Sequence, residues 1–275
     1  KIQGHRYSDL ARAGIAPHVL GRKITGITVR NNSLRYKVPA SMGSKAKGQT
    51  VHNLLRRSKY LIFELDHLKL LVHLGMSGSL RYHPPCTKHE APKKHDHIDV
   101  RLDDGGLLRY HDPRRFGLWL PFTEENSEHR LLAHLGPEPL TRKFTAKTFV
   151  EKAKKRSIAV KAFVMDAKVV VGVGNIYAAE SLFMSKISPL RPANQVSDAE
   201  YALLVKNIKA VLKKSIARGG TTLNDFVGSD GKPGYFQQKL LVYGREGQKC
   251  GTCKEIILNE VIGQRASCYC PKCQT

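Results

Sequence analysis

Short apolar runs and alternating positions dominate the first half of the chain. Residues 60–65 and 68–74 are apolar runs, and residues 98–102 alternate between apolar and polar side chains. The Asp-Asp-Gly-Gly stretch at 103–106 favours a tight turn, after which residues 107–110 return as a second strand. Several short strands joined by such turns predict a β-sandwich or a β-barrel for this half.

The second half of the chain changes to a helical period. Ser197 and Glu200 have the spacing of a capping box, which predicts that a helix begins there. Apolar residues then recur at the spacing of a buried helix face, namely Leu204, Ile208, Val211 or Leu212, and Ile216. The pair Gly219-Gly220 is predicted to end this helix. Between the two halves, the Leu-Gly-Pro-Glu-Pro-Leu stretch at 135–140 disfavours helix and strand, so we place a domain boundary within residues 121–141.

The composition adds a strong charge asymmetry to this picture. The 275 residues include 46 lysines and arginines against 23 acidic residues, which gives a formal net charge of +23. Such an excess is not needed for folding and favours a polyanionic partner, because basic side chains release counterions from nucleic acids. A generally basic protein without such a partner is the alternative. No apolar run has the length of a signal peptide or a membrane span, so we expect a cytoplasmic protein.

Five of the six cysteines crowd into the last 26 residues. The pattern Cys250-x2-Cys253-x16-Cys270-x2-Cys273 is typical of a zinc ribbon, in which four thiolates surround the ion and leave no open position. The predicted Zn2+ is therefore structural, and it stabilises a module too small to have a large core. Cys268 lies close to Cys270, but the symmetry of the two Cys-x-x-Cys pairs favours Cys270. The alternative is a chance cluster of free thiols.

Two further features suit contact with phosphate groups. Arg265 lies between the two cysteine pairs, where a rigid zinc hairpin could present it to a DNA backbone. The Val-Gly-Val-Gly stretch at 171–174 predicts a tight turn, and Asn175 then begins a helix whose backbone N–H groups attract anions. A solvated surface arginine and an ordinary helix-capping turn are the alternatives.

A third feature combines two turns of the predicted β half. Met76 stands between two glycines in Leu-Gly-Met-Ser-Gly, and Arg114 and Phe116 follow in Asp-Pro-Arg-Arg-Phe-Gly. A flexible apolar side chain can wedge between bases, and a cation beside an aromatic ring suits phosphate neutralisation and stacking. Together the three could fill the space left by a flipped base. The alternatives are core packing of Met76 and a salt-bridged turn with Phe116 buried.

At this point the sequence resembles bacterial formamidopyrimidine-DNA glycosylases, the Fpg or MutM branch of the Fpg/Nei family. The similarity runs in order from about Arg12 to the C-terminus. The matching stretches include RRSKYLIFEL, HLGMSGSLR, HDHIDVRL, YHDPRRFG, VGVGNIYAAESLF and QRASCYCPKC. The GKPGYF stretch at 231–236 is similar to a loop that, in the Fpg branch, covers an oxidised purine.

The resemblance implies an α+β multidomain fold with DNA bound in a cleft between domains. The implied domains are a β-sandwich at residues 1–125, a linker at 126–141, a helical helix–two-turn–helix domain with a lesion-capping loop at 142–234, and a zinc finger at 235–275. It also implies a base-excision repair enzyme, a bifunctional DNA glycosylase and abasic-site lyase. Its implied partner is double-stranded DNA that contains oxidised purines or abasic sites. We expect a monomer.

The resemblance also assigns roles to individual residues. Lys59 is implied to assist elimination at the lesion, and Arg265 is implied to grip phosphates and to donate the proton for δ-elimination. Met76, Arg114 and Phe116 match the three residues that fill the void. The other implied DNA contacts are His73, His95, Arg156, Lys161, Asn175 and Tyr243.

The first ten residues depart from the family pattern. Family members begin, after removal of Met, with Pro-Glu, in which the proline amine is the nucleophile and the glutamate is the acid. Counted back from Gly14, these two residues would fall near Gln3 and Gly4. For the chain as written, we therefore expect strongly reduced excision with DNA binding retained. The alternative hypothesis is a protein that binds damaged or abasic DNA without excising the base.

Overall fold

The computed structural model of the chain describes residues 5–86, 89–123, 129–217 and 240–275. These residues form two compact units, which meet in sequence between residues 133 and 134. The predicted loop at 231–236 lies outside the described residues, as do the Gly219-Gly220 helix end and positions 3 and 4. Among the described residues, no helix is long and apolar enough to cross a membrane.

The first unit contains two four-stranded antiparallel sheets. Its helices are α1 (His5–Val19), α2 (Met42–Ala46) and α3 (Arg130–Ala133). Its strands are β1 (Ile24–Val29), β2 (Asn53–Arg57), β3 (Tyr60–Glu64), β4 (Lys69–His73), β5 (Ser79–His83), β6 (Asp96–Leu102), β7 (Leu107–His111) and β8 (Leu118–Phe122). The strand orders are β1-β6-β7-β5 and β2-β3-β4-β8. The predicted sandwich is confirmed, and so are its β3-β4 and β6-β7 hairpins.

Both sheets contribute to one apolar core. Trp119 of one sheet contacts Tyr110 of the other, with ring centroids 5.8 Å apart. Helix α1 packs on the same core through Ile15 and Val19, which lie one helical turn apart and are fully buried. The sequence did not predict this helix, because Gly14 and Pro17 both disfavour a helix interior. The buried face of α1 offsets that cost.

The second unit combines helices with a small β-hairpin. Its helices are α4 (Ala146–Ala153), α5 (Val160–Met165), α6 (Asn175–Met184) and α7 (Asp198–Ala217), with a short 3-10 turn at Ala193–Gln195. Its hairpin pairs β9 (Leu258–Ile262) with β10 (Arg265–Tyr269). Helix α7 begins after the predicted capping box, in which the Ser197 hydroxyl accepts the Glu200 N–H. Ile216 is exposed, contrary to the prediction, because Ser215 occupies the buried face of the last turn.

Two apolar clusters stabilise this unit. In the helical cluster, the aromatic rings of Phe149, Phe163 and Tyr201 contact one another. The second cluster joins Val242 and Ile257 of the cysteine-rich segment to Ala179 of α6. Because α6 contributes to both, the helices and the ribbon form one compact unit.

Candidate functional site

The predicted DNA contacts of the first unit gather at one edge of the sandwich. The turn that holds Met76 leads into β5, and the turn that holds Arg114 and Phe116 follows β7. His95 directly precedes β6, and His73 is the last residue of β4. In one sheet, His111 of β7 pairs with both Ser79 of β5 and Asp96 of β6. In the other sheet, His73 of β4 pairs with Leu118 of β8. Within each sheet, the strand ends that carry these residues therefore lie side by side.

The two turns touch through their backbones. A Cβ atom on Gly75 would lie 2.6 Å from the amide nitrogen of Gly117, and one on Gly117 would lie 2.5 Å from the carbonyl oxygen of His73. Gly75 also has a φ of 65°, which disfavours any other residue. These glycines therefore permit a close approach that brings the Met76 turn against the Arg114–Phe116 turn.

The side chains of both turns project outward. Met76 is 38% exposed and Phe116 is 44% exposed, although both are large apolar residues. The Arg114 guanidinium lies 4.6 Å from the centroid of the Phe116 ring, within the range of a cation–π contact. Core packing of Met76 and burial of Phe116 are thus excluded as explanations of the sequence pattern.

Lys59 lies on the turn between β2 and β3, beside His73. The backbone oxygen of Lys59 accepts a hydrogen bond of 2.9 Å from the Ser8 hydroxyl of α1. His73 Nδ1 accepts the Gly75 N–H at 2.9 Å, so the ring carries its proton on Nε2. Burial, together with the nearby charges of Lys59 and Arg35, lowers the pKa of His73 to about 4. His73 is therefore a neutral N–H donor at neutral pH.

Four cysteine thiols come together at the end of the second unit. The sulfur atoms of Cys250, Cys253, Cys270 and Cys273 all lie within 4.8 Å of one another. In a tetrahedral zinc site with ~2.3 Å bonds, sulfurs are about 3.8 Å apart. Two of the pairs measure 3.4 and 4.0 Å. The geometry fits a closed site of four cysteine ligands and confirms the predicted structural Zn2+.

The pKa values of these thiols reflect how closely the four side chains are packed. Burial raises the pKa of Cys250, but hydrogen bonds from the Cys253 and Thr252 backbone outweigh it and lower the pKa to about 7. Burial and the neighbouring thiols raise the pKa of Cys273 to about 12. Four thiolates this close together need a cation between them, which a divalent zinc ion supplies. Cys268 is not a ligand, because its sulfur points to Asn259 Oδ1 at 3.9 Å.

Arg265 begins strand β10 directly after a two-residue turn. Gly263 and Gln264 both have positive φ, 54° and 61°, as a tight hairpin turn of this type requires. The Arg265 side chain is exposed. The next carbonyl, that of Ala266, accepts hydrogen bonds from both Lys161 Nζ and Asn175 Nδ2, each 2.9 Å long. The strand that carries Arg265 is therefore tied to α5 and α6.

Lys161 serves this hairpin from a buried position. It is 1% exposed and donates a second hydrogen bond to the Ser267 hydroxyl. Burial lowers its pKa to about 8. The predicted DNA contacts of Lys161 and Asn175 stay predictions, and in the structure both residues bind the hairpin backbone.

Arg156 and Tyr243 complete the predicted set. Arg156 is exposed, and its Nη1 lies 3.9 Å from Asp166 Oδ2. Tyr243 is held through its backbone N–H, which Glu180 accepts at 3.0 Å. The same buried carboxylate accepts the N–H groups of Leu241 and Val242. Sequence reasoning missed Glu180, although an acid within the apolar stretch Ile-Tyr-Ala-Ala-Glu-Ser-Leu-Phe was a usable signal.

Two domain families match the chain. Residues 9–119 match the formamidopyrimidine-DNA glycosylase N-terminal domain, and residues 135–227 match the formamidopyrimidine-DNA glycosylase H2TH domain. The chain is 50% identical over 266 residues to a formamidopyrimidine-DNA glycosylase of Vibrio atlanticus, with 97% of each chain covered. It is 49% identical to one of Teredinibacter turnerae, with the same coverage.

Solved structures agree over the full length. The crystal structure of MutM (Fpg) from Thermus thermophilus matches with a TM-score of 0.84 and 33% identity, covering 99% of this chain and 98% of the other. A complex of Lactococcus lactis Fpg with DNA that contains an abasic site matches with a TM-score of 0.87 and 30% identity, covering 99% and 100%.

Proposed function

Because the chain belongs to the formamidopyrimidine-DNA glycosylase family, we propose that it is a DNA glycosylase of base-excision repair that removes oxidised purines from double-stranded DNA. The observation that carries this proposal is the exposed set of Met76, Arg114 and Phe116 on two turns in direct contact. An apolar wedge beside a cation and an aromatic ring suits the space that an extruded base leaves behind.

The proposed contacts with the DNA backbone come from both units. In the first unit, His73 offers a neutral N–H donor, while His95 and Lys59 lie near the same edge of the sandwich. In the second unit, Arg265 and Arg156 have exposed guanidinium groups. Asn175 binds the carbonyl oxygen of Ala266, next to Arg265, and Tyr243 is the remaining proposed contact. Arginine side chains suit phosphates because they donate several hydrogen bonds and remain charged.

The proposed reaction continues from base excision to strand cleavage. The amine of an N-terminal proline, the nucleophile implied by the family resemblance, attacks C1′ of the damaged nucleoside, and the base leaves as the iminium forms. Loss of a proton from the neighbouring carbon then allows β-elimination, and a further elimination releases the second phosphate. We assign Lys59 to assist at the lesion and Arg265 to supply a proton in the last step. The zinc ion takes no part in this chemistry and holds the hairpin that carries Arg265.

A duplex with one 8-oxoguanine tests the proposal. For a protein that begins with Pro-Glu at positions 3 and 4, we expect cleavage at the lesion, with products that end in phosphate on both sides of the gap, and no cleavage of the undamaged duplex. For the chain as written, we expect preferential binding to the lesion duplex with strongly reduced cleavage. With the protein that begins with Pro-Glu, borohydride should trap a covalent protein–DNA adduct during the reaction, because it reduces the iminium. Binding and cleavage that are no better on the lesion duplex than on the undamaged duplex would reject the proposal.

The competing function is a protein that binds damaged or abasic DNA without excising the base. It is favoured by the first ten residues, which contain no Pro-Glu pair at the expected positions. The discriminating comparison uses the chain as written and a protein that begins at position 3 with Gln3→Pro and Gly4→Glu. If only the second protein gives the borohydride adduct while both prefer abasic DNA, the chain as written is a binder.

A further inference from the structure

One buried carboxylate lies at the centre of the first unit's candidate site. The Asp112 side chain is fully buried. Its Oδ1 accepts the Ser77 hydroxyl at 3.0 Å and the Arg114 N–H at 3.3 Å. Its Oδ2 accepts the Tyr110 hydroxyl at 2.8 Å and the Gly117 N–H at 2.9 Å. Each carboxylate oxygen thus accepts two hydrogen bonds, which satisfies an acceptor-only group.

The donors come from two segments of the chain, the turn that holds Met76 and residues 110–117. Ser77 follows Met76 in the first turn, whereas Arg114 and Gly117 bracket Phe116 in the second turn. Tyr110 belongs to β7 and packs in the core between the sheets. The carboxylate therefore joins the two turns to each other and both of them to the sandwich.

The backbone of Asp112 extends this connection to a third segment. Its N–H donates to the carbonyl oxygen of His95 at 2.9 Å. Its own carbonyl oxygen accepts a hydrogen bond of 2.8 Å from His97 Nε2. His95 is itself one of the proposed DNA contacts, so a single residue contacts all three segments at this edge of the sandwich.

From this arrangement we infer that Asp112 is a positioning residue, which holds Met76 and the Arg114–Phe116 pair in the one arrangement that can fill the space of an extruded base. The inference rests on the proposed function of these turns. Asp112 is buried and does not touch DNA in this role. It acts through the turns, because Met76 and Phe116 project outward and do not belong to the core cluster of the sandwich.

Two substitutions remove this connection to different degrees. Asp112→Asn keeps the size of the side chain but replaces one oxygen by an NH2 group, which opposes two donors. Ser77→Ala removes only the hydrogen bond from the Met76 turn and leaves the other three. Asp99→Asn is the matched control, because Asp99 is also buried but belongs to β6 and binds Arg109 and Arg30 rather than either turn.

The readout is the ratio of two dissociation constants, measured by fluorescence anisotropy. One duplex carries a tetrahydrofuran abasic analogue, and the other is undamaged and otherwise identical. We expect Asp112→Asn to lower the preference for the abasic duplex about tenfold, the size expected when hydrogen bonds to a buried charged group are lost. Ser77→Ala should lower it less. Asp99→Asn should lower thermal stability but keep the preference.

A double-mutant cycle separates positioning from general stability. In a Met76→Ala, Phe116→Ala background, the turns no longer carry the side chains that Asp112 is proposed to position. The effect of Asp112→Asn on the preference should then largely disappear, because coupled residues are not additive. A loss of global stability would persist in both backgrounds.

Several results would overturn the inference. They are an unchanged preference in folded Asp112→Asn, an equal loss of affinity for both duplexes, or an effect that is fully additive with the double alanine background. If Asp112→Asn does not fold, the test uses Ser77→Ala instead. Its effect on the preference is then measured in the parent and in the Met76→Ala, Phe116→Ala background. A parent protein without any preference for the abasic duplex would instead reject the proposed function.

Discussion

The two units hold their candidate contacts by different physical means. In the first unit, three segments of backbone are joined by hydrogen bonds to Asp112 and by glycines that allow a close approach. In the second unit, four cysteines surround a zinc site, and Lys161 ties the resulting hairpin to the helices. The first arrangement is distributed over many weak interactions, whereas the second depends on one strong centre.

This difference predicts that the two units respond differently to substitutions. A hydrogen-bonded arrangement loses its geometry gradually, because each bond, even to a charged carboxylate, contributes only about 1.5–3 kcal/mol. A structural zinc site fails as a whole, because the small module has little other free energy to keep it folded. Substitutions in the two units should therefore differ both in size and in kind.

Loss of a zinc ligand should have the largest effect. Cys270→Ser removes one of four thiolates, in a type of site whose metal contributes on the order of 10 kcal/mol to folding. We expect loss of bound zinc, unfolding of the β9–β10 hairpin and weaker DNA binding, because the hairpin carries Arg265, a proposed phosphate contact. Elemental analysis, circular dichroism and DNA titration measure these three outcomes.

The matched control for this prediction lies two residues away. Cys268 is as buried as its neighbours but points to Asn259 rather than to the metal site. Cys268→Ser should therefore retain one zinc ion per chain and bind DNA like the parent. If both variants lost zinc to the same extent, the assignment of the four ligands would be wrong.

A side chain between the two turns of the first unit should have the next largest effect. In Gly117→Ala, the new Cβ would lie 1.8 Å from the Tyr110 hydroxyl oxygen and 2.5 Å from the His73 carbonyl oxygen. Because backbone must move, we expect a loss of about 3 kcal/mol in the free energy of unfolding, at the upper end for overpacked sites. Urea unfolding measures it.

Gly26→Ala provides the comparison within the same sandwich. A Cβ at Gly26 meets no atom within 4 Å, and its backbone does not have positive φ. This variant should unfold within about 0.5 kcal/mol of the parent, as surface substitutions usually do. If Gly117→Ala lowered the free energy of unfolding no more than Gly26→Ala does, the close approach of the two turns would be unimportant for stability.

The same contrast explains what the sequence could predict. The zinc site was predictable because its four ligands have a fixed short spacing, and the strand pairs were predictable because alternation and turn residues are local. The set of Met76, Arg114 and Phe116 required two turns to be considered together, although Met76 and Arg114 lie 38 residues apart. Their outward orientation was one of two alternatives until their exposure was known.

Asp112 and Glu180 were not predictable in the same way. Asp112 binds the distant Ser77 as well as its own chain neighbours, and Glu180 binds the backbone of residues 241–243, so no spacing in the sequence identifies either acid. Lys161 was assigned to DNA by resemblance to the family, and only the fold shows that its ammonium group is buried against Ala266 and Ser267. Helix α1 was hidden by Gly14 and Pro17, whose local preference is outweighed by burial of Ile15 and Val19.

A third prediction concerns how the ribbon is tied to the helices. Lys161→Met keeps most of the side-chain volume but removes the hydrogen bonds to Ala266 and Ser267. We expect a loss of about 2 kcal/mol in the free energy of unfolding, with the zinc retained. The exposed Lys152 also donates to backbone carbonyls, so Lys152→Met is the control and should cost less. A Lys161 variant as stable as the control would contradict this role.

The smallest effect should come from His73 and should depend on pH. Its pKa is about 4 in the folded protein and near 6.5 when unfolded, so the unfolded chain takes up the proton first as the pH falls. The neutral ring therefore contributes stability above pH 6.5 that is lost as the pH falls toward 4. In His73→Asn, the amide oxygen can still accept the Gly75 N–H, but the side chain does not titrate. We expect the difference in unfolding free energy between parent and variant to change by about 1 kcal/mol over this interval. This is less than the full equivalent of the pKa shift, because the ring is only partly buried and solvent screens its charge. Parallel stability curves for the two proteins would mean that His73 is not held neutral by its surroundings, and that the edge of the sandwich is more open to water than the structure indicates.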